Sequence, residues 1–348
     1  MGYITDTLTP EQQKFAKADF NKPCFSVAVA GSGKTTSCIA RIEQMLLAGI
    51  DSEQILLLSF TKVAARSIIN KVRTTIGYEQ CKGITGGTFH SVFNRILRKY
   101  AKLVGIANDY TLKVDEVLVD AIKLSFDILE FPRGRGCPTA TGILKLIHNM
   151  KLRDLSIEEA IEIYEPSWKD YVDNITTVIA YYKMYCRQNN ILDYDDILLK
   201  TYELLTTHPE VRDTIARQYK YIIIDEYQDT NIVQANIIYE LLKSSTPPSV
   251  TIVGDPNQSI YSFINADINN ILSFRDRFPD ATEASLTTNF RSNQQILDTC
   301  NAIMHTFIAF FITGITRIIT FFKNMIIYFK IIFEFYFIIF TFFILTEV

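Results

Sequence analysis

The sequence predicts an α/β protein built on a parallel β-sheet, and three observations support this fold class. Four short apolar runs, rich in Ile, Leu and Val, are typical of strands covered on both faces. Helical segments separate these runs, and strands that alternate with helices imply right-handed crossovers. A glycine-rich turn joins the first run to a helix, which is the context of a phosphate-binding loop.

The strands and helices follow in chain order. The apolar runs are FSVAVA at 25–30, QILLLSF at 54–60, YIIID at 221–225 and VTIVG at 250–254. The first run enters the glycine-rich turn, and the helix after it continues to Leu47. The second run precedes a predicted helix over 62–76.

Between about 91 and 190 the alternation of strands and helices stops. This stretch reads as helical over 115–130, 141–150 and 168–189, with one Gly/Arg/Pro loop at 131–142. We therefore expect an all-helical subdomain inserted into the α/β domain.

Composition limits the class of protein. A chain of 348 residues has room for about two domains. The net charge of −3 excludes a simple polybasic nucleic-acid binder but allows a local basic groove. Six scattered cysteines, with no Cys/His cluster, argue against structural zinc and fit a reducing compartment. The N-terminal segment lacks a signal-peptide core, so we expect a cytoplasmic or nucleoid-associated protein that is not secreted.

The last 44 residues, 305–348, have an abnormal composition, with 12 Phe and 12 Ile. One interpretation is a membrane helix, but that needs about 20 apolar residues, and the longest uncharged run, 335–346, has 12. A buried core helix is the second, although no amphipathic period is visible. The third, which we favour, is an A/T-rich gene read out of frame, because Phe, Ile, Lys, Tyr and Asn have A/T-rich codons.

The turn AGSGKT at 30–35 has the pattern of a phosphate-binding loop, Gly31-Ser-Gly33-Lys34-Thr35. Its glycines let backbone N–H groups surround phosphate oxygens, and the N-terminus of the following helix adds positive potential. Lys34 would reach the β- and γ-phosphates, and Thr35 would bind Mg²⁺. The alternative is a chance glycine-rich turn.

An acidic pair, Asp225-Glu226, ends the third apolar run. A carboxylate at the carboxyl end of a parallel strand faces the ligand crevice. Asp225 suits coordination of Mg²⁺, and Glu226 suits activation of the attacking water. The alternative is an ordinary helix N-cap. Together with the phosphate loop, the pair predicts a magnesium-dependent nucleoside triphosphatase.

An ordered series of motifs over about 1–304 resembles the UvrD/Rep family of superfamily 1 DNA helicases. The similar segments are LTPEQQ at 8–13, AGSGKT at 30–35, SFTKVAARSI at 59–68, GTFHSV at 87–92, DYDDIL at 193–198, DEYQDT at 225–230, GDPNQSIY at 254–261 and TNFRS at 288–292. The resemblance implies ATP as cofactor and single-stranded DNA and its junctions with duplex as partners. It also implies a RecA-like motor domain over 1–90 and 191–280, a helical insertion over 91–190 and the start of a second RecA-like domain over 281–304.

The resemblance assigns roles at the nucleotide. Gln258 would sense the γ-phosphate, and Arg291 would act as an arginine finger. Phe290 would stack on adenine, and Gln12 would read its edge. The nucleotide-binding positions that complete this set are Ala30, Gly31, Ser32, Gly33, Lys34, Thr35 and Thr36.

The resemblance also implies a groove for single-stranded DNA, in which aromatic side chains stack on bases and hydroxyls or His hold phosphates. Its expected residues are Phe60, Thr61, Thr88, Phe89, His90, Tyr261 and Phe263. For Phe60 and Phe89, packing in the core is an equal alternative. The loop with Arg133 and Arg135 has two interpretations, a contact with duplex DNA and an ordinary solvated loop. We favour the solvated loop.

Three departures from the family pattern affect these expectations. Thr36 and Ile264 stand where the family often has Arg. Nothing in 305–348 resembles the family's motifs V and VI, so the sequence suggests a chain truncated or frameshifted after about 304. We expect this polypeptide to bind ATP–Mg²⁺ weakly, to hydrolyse it poorly and not to unwind DNA. Two alternatives to a 3′–5′ helicase are an ATP- and DNA-binding module without motor activity and a membrane-tethered NTPase.

Overall fold

The computed structural model describes residues 7–262 and 265–314. The chain divides into two compact units, 1–289 and 290–348. The strands are β1 (Cys24–Ala28), β2 (Ile55–Leu58), β3 (Thr85–Gly87), β4 (Thr111–Leu112), β5 (Ile191–Leu192), β6 (Tyr221–Ile224), β7 (Ser249–Gly254) and β8 (Thr282–Leu286).

The helices account for most of the remaining described chain. They are α1 (Pro10–Lys17), α2 (Lys34–Leu47), α3 (Lys62–Ile76), α4 (Tyr78–Cys81), α5 (Phe89–Tyr100), α6 (Asp115–Ile128), α7 (Ala140–Arg153), α8 (Ile157–Tyr164), α9 (Val172–Gln188), α10 (Tyr194–Thr207), α11 (Pro209–Gln218), α12 (Ile232–Leu242), α13 (Asn269–Leu272), α14 (Phe274–Arg277) and α15 (Gln294–Gly314).

The main sheet of the first unit confirms the predicted α/β class. Within the described residues it has six strands in the order β3-β2-β6-β7-β1-β8, and all of its pairings are parallel. The four predicted strands are the four central ones, β2, β6, β7 and β1. The predicted helix over 62–76 coincides with α3.

Two apolar cores, one on each face, explain why the central strands read as continuous apolar runs. Ile222 and Ile224 of β6 pack in the first core, together with helices that include α5, α10 and α12. Ile223 between them packs in the second core with α1, α2 and α3. Because successive side chains of a strand point to opposite faces, a strand covered on both faces needs apolar residues at every position.

The sequence did not identify the two edge strands, β3 and β8. Their sequences are TGG and TEASL, and neither is a continuous apolar run. An edge strand is protected by only one neighbouring strand, so polar and small residues are tolerated there. Strand β8 places 282–286 in the sheet of the first unit, although the resemblance had assigned this segment to a second domain.

The inserted subdomain has its own apolar core, formed by α6, α7, α8 and α9 around Trp168. Helix α6 is the first helix that contributes to this core. The buried residues of α5, such as Phe93, belong to the first core of the sheet. The insertion is helical as predicted, apart from the two-residue pairing of β4 with β5.

The second unit contains helix α15 within its described part. Residues 315–348, and with them most of the Phe/Ile-rich tail, lie outside the described residues. Among the residues described, no helix combines the length and apolar character needed to cross a membrane.

Candidate nucleotide site and nucleic-acid face

The glycine-rich loop leaves β1 and ends at the first residue of α2, Lys34. Gly33 caps this helix with a φ of 81°, and Gly31 has a φ of 70°. Both values lie in the left-handed region, which glycine adopts without steric cost. The loop therefore presents free N–H groups of a helix N-terminus, as a phosphate cradle requires.

Gln12 is held against this loop. It forms a capping box with Thr9 at the start of α1, which orients its side chain. Its Nε2 then donates to the carbonyl oxygen of Ser32 at 2.9 Å. A Cβ on Gly33 would lie 2.6 Å from the same Nε2, so the contact requires glycine there. The structure thus brings Gln12 to the predicted nucleotide loop.

The acidic pair begins where β6 ends. Asp225 is buried, and its N–H donates to Leu58 O at 2.9 Å, which continues the strand pairing. Burial, followed by the charge of Glu226, raises the pKa of Asp225 to about 7. Glu226 has a φ of 54°, a left-handed conformation that is uncommon outside glycine.

These residues fit a magnesium ion. The Oδ1 atom of Asp225 is buried and has no hydrogen-bond partner among the described protein atoms. A hard cation takes carboxylate and hydroxyl oxygens as ligands, and Thr35 supplies a half-buried hydroxyl on the first turn of α2. A positive charge here would also offset the repulsion between Asp225 and Glu226.

Five residues close a hydrogen-bonded ring beside the phosphate loop, four through their side chains alone and Asp255 through its side chain and its backbone N–H. Lys34 Nζ lies 3.2 Å from Glu226 Oε2 and donates to Gln258 Oε1 at 3.2 Å. Gln258 Nε2 donates to Asp255 Oδ2 at 2.5 Å. The backbone N–H of Asp255 donates to Gln228 Oε1 at 3.0 Å. Gln228 Nε2 donates to Glu226 Oε2 at 2.9 Å, which closes the ring. The ring brings together Lys34, Glu226 and Gln258, three of the predicted catalytic residues.

The sequence reasoning missed Gln228 and Asp255, although both lie inside the motif segments it quoted. Gln228 is 1% exposed, so its amide serves the ring rather than solvent. A Cβ on Gly254 would lie 2.5 Å from Gln228 Oε1, which explains the glycine at the end of β7. The signal that could have identified them is a polar residue close after a strand or an acidic pair: Asp255 directly follows β7, and Gln228 is two residues after Glu226.

Asp229 is a further titratable group near the ring. Burial and the charge of Glu226 raise the pKa of Asp229 to about 7. Its Oδ2 lies 3.4 Å from Gln228 Nε2. The same turn therefore carries three carboxyl groups close to Lys34.

The described residues of the predicted DNA-binding set follow three strands of the sheet: Phe60 and Thr61 come after β2, Thr88, Phe89 and His90 after β3, and Tyr261 after β7. Phe60 is 39% exposed and stacks on Tyr261, with ring centroids 4.7 Å apart and planes inclined by 29°. The hydroxyl oxygens of Thr61 and Thr88 accept backbone N–H groups and so cap α3 and α5. Each hydroxyl retains its own proton for donation to a phosphate.

Phe89 is not exposed in a groove, as the prediction of base stacking requires. It is 4% exposed and packs on Phe93, with centroids 5.9 Å apart, so the structure places it in the first core. His90 is half-buried, its ring edge faces Tyr194, and burial lowers its pKa. Phe263 lies outside the described residues, as does Ile264.

A cavity of about 60 Å³ lies between the acidic pair and the predicted DNA-binding loops. The residues that line it include Phe60, Thr88 and His90 of the predicted DNA-binding set and Glu226 and Asp229 of the acidic turn. Residues of both predicted sites therefore border the same cavity.

Phe290 and Arg291 belong to the second unit, which begins at Phe290. Phe290 is 60% exposed. The roles that the resemblance assigns to these two residues, adenine stacking and the arginine finger, stay predictions.

Comparison with known proteins gives a consistent result. The family model described as the UvrD/REP helicase N-terminal domain matches residues 8–279. The chain is 31% identical over 317 residues to a protein of Mycobacterium leprae named ATP-dependent DNA helicase UvrD1, a match that covers 86% of this chain. It is also 31% identical to proteins named ATP-dependent DNA helicase PcrA from Leuconostoc citreum and Staphylococcus aureus, over 81% and 87% of this chain. These matches cover 40%, 37% and 40% of the respective relatives, so the chain spans about two fifths of their length.

A parallel sheet with a glycine-rich loop after β1 and an acidic pair after β6 defines the first unit as a RecA-like P-loop NTPase fold. Within that class, the chain belongs to the UvrD/REP helicase family.

Proposed function

We propose that this chain forms the ATP-binding motor part of a DNA helicase, which moves 3′–5′ along single-stranded DNA and separates strands at its junctions with duplex. The observation that carries the proposal is the closed ring of Lys34, Glu226, Gln258, Asp255 and Gln228 beside the phosphate loop. A ring of this kind links the residues that touch a nucleotide to the turn that faces the DNA-binding loops.

The ring explains how nucleotide binding would switch the site. In the structure, Lys34 is paired with Glu226 and Gln258. Phosphates of ATP compete for the same ammonium group with a larger negative charge. Lys34 would then leave Glu226, whose carboxylate becomes free to orient the attacking water. Gln258, released at the same time, would contact the γ-phosphate.

Thr35 and Asp225 would hold magnesium, which would neutralise the charge that develops on the phosphates. Gln12, held against the loop by its hydrogen bond to Ser32 O, would read the edge of the base. Gln228 keeps Glu226 oriented while Lys34 moves, because its amide donates to the same carboxylate oxygen.

The DNA would bind across Phe60 and Tyr261, whose stacked rings offer an apolar platform for bases. Thr61, Thr88 and His90 would hold the phosphate backbone. Such a groove needs no high overall positive charge, which agrees with the net charge of −3. Affinity that depends on phosphate contacts would weaken as salt rises.

The test measures ATP hydrolysis by the purified chain with and without a single-stranded oligonucleotide. We expect this chain to hydrolyse ATP slowly, with stimulation by DNA, and we expect Lys34→Ala to lose that hydrolysis while it largely retains DNA binding. Glu226→Gln should still bind ATP but not turn it over, because only the group that orients the water is lost. Duplexes with a 3′ or a 5′ single-stranded tail test strand separation: we expect none from this chain, and separation of only one kind of duplex would give the direction of movement.

Two results would contradict parts of this proposal. Binding of ATP and DNA without any turnover would favour a binding module that has no motor activity. Equal loss of ATP and DNA binding in Lys34→Ala would mean that the lysine supports the fold rather than the phosphates.

A further inference from the structure

Helix α7 of the insertion is fixed to the sheet-bearing part of the chain at the start of α10. Lys151 Nζ donates to Asp193 Oδ2 and to Asp196 Oδ1, each at 2.7 Å. His148 Nδ1 lies 2.5 Å from Asp195 Oδ2. Because Lys151 and Asp193 are largely buried, these pairs are shielded from solvent and hold this part of α7 in one position.

The end of α7 contacts a second place, the turn that follows Tyr261. Arg153 Nε donates to Asn265 Oδ1 at 3.1 Å, and Asn265 Nδ2 donates to Asn149 Oδ1 at 3.4 Å. Asn265 has a φ of 66°, in the left-handed region. A non-glycine residue keeps this conformation only where its surroundings stabilise it.

The turn at Asn265 is itself connected to both predicted sites. Asn265 N donates to Ser262 O at 3.1 Å, and Ala266 N donates to Tyr261 O at 3.2 Å. On its other side, Asp267 N donates to Thr230 O at 2.9 Å, in the segment that carries the acidic pair. A displacement of Asn265 would therefore reach both Tyr261 and the acidic turn.

We propose that Arg153, Asn149 and Asn265 form a clasp through which the insertion positions the segment that carries Gln258 and Tyr261. The inference rests on the proposed function, since it concerns the same site. All three are positioning residues, because none of them lies in the phosphate loop or in the ring. The clasp makes the insertion part of the ATPase machinery, in addition to any contact it makes with nucleic acid.

The physical consequence is an effect on turnover rather than on nucleotide affinity. The phosphate loop and Gln12, which would bind the nucleotide, belong to elements other than α7, so the KM for ATP should change little. Gln258 must reach the γ-phosphate as the reaction proceeds, and electrostatic help of this kind depends on preorganised geometry. Loss of the clasp lets the segment move, and kcat falls.

The test uses Arg153→Ala, which removes one partner, and Asn265→Gly, which removes the side chain but still permits the positive φ. Lys145→Ala, an exposed lysine on the same helix, is the matched control. We expect both test variants to lower the kcat of DNA-stimulated ATP hydrolysis by about three- to tenfold, the equivalent of one lost hydrogen bond. The KM for ATP should stay within about twofold, and the control should match the wild type.

Amide hydrogen exchange without nucleotide gives a readout that is independent of turnover. In the test variants, the amides of Ser259, Asn265 and Ala266 should exchange faster, while those of α2 and of the sheet stay protected. Unchanged exchange at these amides would overturn the clasp, as would loss of protection throughout the domain. A wild-type protein without ATP hydrolysis would contradict the proposed function, and the exchange experiment would still decide whether the clasp exists.

Discussion

Replacement of Gln228 by Ala removes the residue that closes the ring between Glu226 and Asp255. The side chain is 1% exposed, and its Oε1 accepts the backbone N–H of Asp255 at 3.0 Å. Asp255 is also buried, so truncation leaves an N–H without a partner, which costs about 1–3 kcal/mol. Glu226 is partly exposed, so water replaces the lost amide donor at lower cost. We expect a loss of about 2–3 kcal/mol in the free energy of unfolding.

Urea denaturation followed by circular dichroism measures this loss as a lower transition midpoint. Gln188→Ala, at an exposed glutamine near the end of α9, is the matched control and should stay within about 0.5 kcal/mol of the wild type. A Gln228→Ala protein as stable as the control would refute the reasoning, because Asp255 N–H would then have another partner.

Gln228→Glu separates the loss of a hydrogen bond from the loss of volume. The new carboxylate would lie near Glu226 Oε2, which now accepts a hydrogen bond at 2.9 Å from the Gln228 amide. Two carboxylates at this distance raise the pKa of at least one of them, because like charges disfavour ionisation. The variant should therefore be most destabilised at alkaline pH and should recover as pH falls and a proton restores the donor. A stability difference that does not vary with pH would contradict this account.

Three further predictions concern the loop, the DNA face and the insertion. Gly33→Ala should abolish nucleotide binding, measured by calorimetry, because its φ of 81° disfavours any side chain. Phe60→Ala should weaken single-stranded DNA binding by about 1–3 kcal/mol in a fluorescence titration, whereas Phe89→Ala should instead lower stability, by about 3–5 kcal/mol, because its ring is buried. Burial lowers the pKa of His148, but the hydrogen bond and charge of Asp195 outweigh this and raise it overall, so the stability that His148 contributes is present below about pH 6.5 and is lost as pH rises through the folded-state pKa. The cost of His148→Ala in urea denaturation should accordingly be larger at about pH 5.5 than at about pH 9, and an equal cost at both would contradict the assignment.

Much of the fold follows from local sequence patterns. The central strands are covered on both faces, so their apolar character is uninterrupted and visible without the structure. The predicted helix over 62–76 coincides with α3 because Thr61 caps its start and Gly77 ends it. The sequence did not predict the edge strands β3 and β8, since a strand with one neighbouring strand does not need a continuous run of apolar residues.

The sequence by itself determined the α/β class, the phosphate loop and the acidic pair, because each depends on residues adjacent in the chain. The tertiary structure decided which side chains meet. Lys34 and Gln258 are separated by 224 positions, and their contact exists only because β1 and β7 are neighbours in the sheet. Tertiary packing also decided the burial of Phe89. The sequence around a phenylalanine that follows a strand does not show whether the ring faces a groove or the core. Local patterns specify strands and loops, whereas strand order and helix packing determine the distances on which a site depends.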